Sequence, residues 1–176
     1  MKKPSKSFEI ALSAIACAFA AMFLMLGSVS PFLLAAGYVV GAFAIMVPLS
    51  KDFVWGASLS YLAAGLIAVW LSPPRILAYA LFFGLHPIVN YLQRKYIKKL
   101  PFHAAIELIK AVWFDLAMWL SYYVLTRAAG MVFPEYIEKY FYLVIFLGGT
   151  LFFFVYDFMI FQCQKSADIA IRRIRR

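Results

Sequence analysis

Few side chains in this sequence can do chemistry, and most of those sit inside apolar stretches. Asp115 falls about half-way through one apolar run, and His86 falls at a similar depth in the run before it, so the two can meet. Asp157 lies near the end of the last run. Glu107 and Lys110 are three residues apart, on one face of a helix, and Lys110 is also placed to reach Asp157. Ionisable groups are costly in hydrocarbon and mark functional sites by default. An intramembrane acid can take up and release a proton. The alternative is an internally paired polar cluster that fixes how the helices pack.

A second collection is aromatic. Tyr38, Trp70, Tyr79, Phe82, Trp119, Tyr122, Tyr123, Tyr140 and Tyr142 lie in the outer halves of the apolar runs, with Arg75 as the only charge in its connection. Such residues form either an interfacial belt or the walls of a pocket. Flat walls with one cation suit a small, partly anionic organic solute. The residues expected to line the pocket are Arg75, Tyr79, Trp119 and Tyr123.

Other chemistries lack their motifs. No Gly-x-x-x-x-Gly-Lys-Ser/Thr loop is present, so ATP hydrolysis by this chain is not expected. His-Glu-x-x-His, Gly-x-Ser-x-Gly and Ser-x-x-Lys are also missing. The two histidines, His86 and His103, lack the spacing of a helical metal pair, and Cys17 and Cys163 suggest no disulfide framework. The chain is therefore expected to be no enzyme, with no catalytic residue, cofactor or metal.

The elements that must hold these residues follow from composition. Of 176 residues, 65% are apolar and 19% aromatic, which points to a membrane protein in one compact bundle. Six helices are expected, at about 8–27, 32–49, 53–71, 76–92, 103–125 and 140–161. The first follows Lys2, Lys3 and Lys6 and is too long for a signal core, so it reads as a retained anchor. Ser7 is its N-cap. Lys51-Asp52, Ser72-Pro73-Pro74-Arg75 and Gln93–Pro101 break the runs that follow. His86-Pro87 should kink the fourth helix, and Pro134-Glu135 should open a short surface helix.

Charge sets the orientation. With the N-terminus in the cytoplasm, six alternating helices put 14 of the 17 basic residues inside and leave Arg75, Arg127 and Lys139 outside. Both termini and the Arg94–Lys99 cluster are then cytoplasmic, and the basic tail meets anionic headgroups. Nucleic acid is not an expected partner. The location is a cell membrane, crossed several times, of bacterial cytoplasmic type.

The first helix sorts its residues by size. Ala11, Ala14, Ala18 and Ala21 make a stripe, flanked by Ser13, Ala16, Cys17 and Ala20. Leu12, Ile15, Phe19, Met22, Phe23 and Leu26 face the other way. Small residues four apart let a second backbone come close. The bulky side is expected to pack inward. The alanine side, with Ala14 and Ala18, either docks a partner or packs within the bundle.

A short chain of six helices, both termini inside and an alanine-rich first helix, resembles the substrate-binding S component of energy-coupling-factor (ECF) transporters. The Ala-x-x-x-Ala motif of that family is matched at Ala14–Ala18 and again at Ala16–Ala20. The resemblance implies capture of a vitamin-like micronutrient from outside. It also implies a separate membrane coupling subunit, docked on the alanine motif, and cytoplasmic ATPases that power uptake. A rival resemblance, in size and helix count, is to the small rod-shape-determining membrane protein of bacterial cell-wall machinery, which would make the chain a scaffold.

Overall fold

Apolar runs separated by proline, glycine and polar turns can satisfy their backbone groups in lipid only as helices. The structure, a computed structural model, describes residues 6–71, 73–97, 100–127, 130, 132, 135 and 139–173. Their regular structure is entirely helical. The helices are Lys6–Val29 (α1), Pro31–Leu49 (α2), Val54–Leu71 (α3), His86–Tyr96 (α4), Leu100–Arg127 (α5) and Thr150–Arg173 (α6). A 3₁₀ turn, Pro73–Ile76, and a π-helical stretch, Tyr79–Phe83, lead into α4. A one-turn helix, Phe141–Leu143, and a second π stretch, Val144–Gly149, lead into α6. Lys6–Val29, Pro73–Tyr96, Phe102–Arg127 and Phe141–Ile169 are long and apolar enough to cross a membrane, whereas Leu33–Leu49 and Val54–Trp70 are apolar but shorter.

The tightest pairing is α1 with α2. Glycines make it possible. A Cβ on Gly37 would meet the Phe23 carbonyl oxygen at 2.7 Å and the Gly27 Cα at 3.0 Å. A second close crossing joins α1 to α3: the Ser60 hydroxyl donates to the Ser13 carbonyl at 2.7 Å, and a Cβ on Gly56 would run into the Ser13 side chain.

These crossings reverse one expectation. The inward face of α1 is Ala16, Ala20, Ala21, Leu24 and Gly27. The bulky side turns out: Ile15, Phe19, Met22 and Leu26 are exposed, while Leu12 and Phe23 are half-buried. The reason is the solvent. Lipid gives no advantage to burying a large apolar side chain, and close backbone packing favours burying small ones. Of the two alanine pairs, Ala16–Ala20 packs internally and Ala14–Ala18 stays on the surface.

The α2–α3 turn closes with a Schellman-type pattern. Phe53 N–H donates to the Pro48 carbonyl, Asp52 N–H donates to that of Leu49, and Asp52 takes a φ of 62°. Its carboxylate accepts from the Tyr91 hydroxyl and from Lys95 Nζ, which ties the turn to α4.

The fourth span is broken as expected, but the break begins before the proline. The π stretch ends at Gly84, and α4 restarts with Pro87 in its first turn, where a missing N–H costs nothing. Gly84 makes room there, because a Cβ would run into the rings of Tyr61 and Tyr79. The last helix continues to Arg173, well past the expected end at Phe161. Polarity was the wrong stop signal, since Gln164 is buried on the inner face of that extension. The expected surface helix at Pro134-Glu135 falls, Glu135 apart, outside the described residues.

Candidate functional site

The last two turns of α5 carry Trp119, Tyr122, Tyr123 and Thr126, at positions that share one helix face. Trp119 and Tyr123 stack with centroids 6.0 Å apart, and Tyr122 stacks on Phe141 at 3.9 Å. Thr126 Oγ1 donates to the Tyr122 carbonyl at 2.9 Å, which folds its side chain back on the helix. Between this face and the entry to α6 lies a cavity of about 530 Å³, completed by Arg127, Val132, Phe141 and Tyr142. That volume falls within the ordinary range for small-molecule sites. Its walls are mostly aromatic, and Arg127 supplies a cation at the rim.

Two of the four expected lining residues, Trp119 and Tyr123, belong to this cavity. The other two lie elsewhere. The Arg75 guanidinium donates to the Ser28 carbonyl of α1, and the Arg75 carbonyl accepts from the Tyr38 hydroxyl of α2. Arg75 thus clamps α1 and α2 to the 3₁₀ turn and faces a separate, small cavity with Ser28 and Tyr38. Tyr79 is 0% exposed, beside Tyr61 (5.8 Å between rings) and tight against Gly41. It is a core residue. The cation of the cavity is Arg127, which the sequence presented only as a charge in an outer connection.

The polar residues within the apolar runs converge, though not in the expected pairs. His86 does not meet Asp115; its Nε2 lies 2.9 Å from Asp157 Oδ1. Asp115 accepts from Thr150 Oγ1 at 3.0 Å, beside Gly149. Lys110 does reach Asp157, at 2.9 Å, and also Glu107, at 2.8 Å. It is only 2% exposed. Residues not singled out from the sequence complete the network. Asn90 accepts from Lys110 and donates to Asp157, and Gln93 Nε2 donates to Glu107 at 2.9 Å. Gln93 Nε2 also lies 3.0 Å from His103 Nδ1. The available signal was the run His86, Asn90, Gln93, spaced along one face of α4. Among the described residues, no group of three or more His, Cys, Asp or Glu could hold a metal ion.

Ala14 and Ala18 are both exposed. Ala14 lines a groove of about 350 Å³ between α1 and α3, with Ser13, Cys17, Gly56 and Leu59. Compared with known proteins, the chain matches no family model, no curated protein and no solved structure.

Proposed function

We propose that the protein is a membrane-embedded, S-component-like subunit that binds a small solute in the aromatic cavity between α5 and the entry to α6. The observation that carries this reading is that cavity: about 530 Å³, with Trp119 and Tyr123 stacked in one wall and Arg127 at its rim. Aromatic faces take up a flat organic body, and the guanidinium favours a partial negative charge on it. No covalent step is involved, and the chain only captures and releases. In this reading all six helices lie in a bacterial cytoplasmic membrane with both termini inside, which places the cavity outside. Transport would be powered by a coupling subunit and ATPases in trans. The outward Ala14–Ala18 pair, left free by the internal packing of Ala16 and Ala20, suits the approach of a coupling helix.

The test is purification from the membranes of its host, with identification of co-eluting proteins and organic solutes. A membrane coupling subunit, two ATPases and a bound micronutrient support the reading. Recovery of cell-wall assembly proteins with no solute would assign the scaffold role instead.

A further inference from the structure

Three helices place a polar residue at one level and a phenylalanine one turn away on the same face. The pairs are His86 with Phe82, Lys110 with Phe114 on α5, and Asp157 with Phe153 on α6. The three phenylalanine rings form a triangle, with centroids 4.9, 6.0 and 5.9 Å apart. Tyr156 fills the space beside His86, at 5.1 Å. One side of the polar level is therefore sealed by aromatic rings. On the other side polar contacts continue without a gap, from Lys110 to Glu107, Gln93 and His103. His103 Nε2 lies 2.7 Å from the carbonyl of Ile97, just past the end of α4.

The polar contacts at this level are unevenly shared. The Lys110 ammonium has three protons and meets three acceptors, Asn90 and Asp157 at 2.9 Å and Glu107 at 2.8 Å. It already fills the position a metal cation would take. Two carboxylates share that one ammonium. The α2 helix, which also packs on α4, has no charged side chain. Arg94 lies over the Phe161 ring, 3.9 Å from its centroid, near enough to Asp157 and Glu107 to add a second positive charge to their field without bonding to either. His86 is the remaining titratable group in direct contact. Its ring is 0% exposed, and neither ring nitrogen has a well-aligned hydrogen bond among the described residues, although Nε2 lies 2.9 Å from Asp157 Oδ1. An imidazole kept only for packing normally has both nitrogens satisfied.

The geometry points to a proton-binding site: His86 and Asp157 hold one exchangeable proton, which enters past His103, Gln93 and Glu107 and is stopped by the Phe82–Phe114–Phe153 triangle. The proton comes by way of Asp157 and adds to the Nε2 lone pair that faces it, while Nδ1 keeps its own hydrogen. The neutral imidazole becomes imidazolium, no other bond changes, and the site gains one positive charge. The site stands independently of the solute-binding reading.

The chain has only two histidines. Labelling histidine with the heavy nitrogen isotope in the full chain, held in lipid nanodiscs, thus gives two imidazole signals, and His103→Gln leaves that of His86. The expected result is conversion of His86 from imidazole to imidazolium between about pH 8 and pH 5. Removing one negative charge, by Glu107→Gln or Asp157→Asn, should lower the imidazolium-to-imidazole ratio at fixed pH by about tenfold. Glu107→Gln decides the point if Asp157→Asn fails to fold. Exchange of the His86 ring proton with water should slow in Gln93→Leu. A single protonation state throughout, or a ratio unmoved by Glu107→Gln, would overturn the site. Exchange unchanged in Gln93→Leu would overturn the route.

Discussion

Lys110 is the residue on which most of the buried polar structure depends. Its ammonium answers Asp157, Glu107 and Asn90 at once, so Lys110→Met leaves two carboxylates without their cation. Breaking a buried ion pair from one side typically costs about 3–5 kcal/mol, and a loss of that size is expected in detergent unfolding titrations. A second residue-scale prediction concerns Gly37. Its added methyl would meet backbone, which cannot swing away, so Gly37→Ala should cost about 1–3 kcal/mol by overpacking. Gly65 is the control: a Cβ there meets nothing within 4 Å, and Gly65→Ala should be neutral or stabilising by up to about 1 kcal/mol. Equal losses at both glycines would contradict the close α1–α2 crossing. The Lys110–Asp157 contact was legible in the sequence, because both residues sit near the same end of neighbouring helices. The partner of His86 was not. A π stretch at Tyr79–Phe83 precedes it and another at Val144–Gly149 precedes Asp157, and each turns every later residue about the helix axis. A plain helical wheel cannot anticipate those turns.

At the scale of elements, α1 gives the sharpest contrast. Ala14→Trp and Ala18→Trp fall on an exposed face and should leave the melting temperature unchanged. Ala20→Trp falls on a fully buried position and should lower expression or melting strongly. Phe19→Trp, on the exposed bulky side, should resemble the surface variants. Thermal melts of the four variants check this ordering, and a loss in Ala14→Trp as large as that in Ala20→Trp would contradict the assigned faces. If Ala14 and Ala18 dock a coupling subunit, the two surface variants should also lose co-purifying partners while keeping their stability. The size sorting of this helix was legible in the sequence, but its inward direction was not, because the rule that buries large residues belongs to water and not to lipid. The helix positions were readable to within a few residues for α1 to α3. The last helix runs past the end of its apolar run at Phe161 into the polar tail, where the structure uses Gln164 as an inward residue.

For the whole molecule, the six apolar helices and the uneven basic residues make one topology testable. With Cys17 and Cys163 replaced, a single cysteine at Val132 should react with an impermeant reagent in intact cells, and one at Tyr96 should not. The reverse pattern would invert the orientation and place the aromatic cavity inside. The proposed function stands or falls with a small solute in this cavity. The most direct measurement is native mass spectrometry of the chain drawn from its host's membranes, beside Trp119→Ala and Arg127→Gln. Solute binding requires a bound organic mass on the parent chain that both variants lose without a fall in melting temperature. A bare parent chain, or the same bound mass on all three, would contradict it.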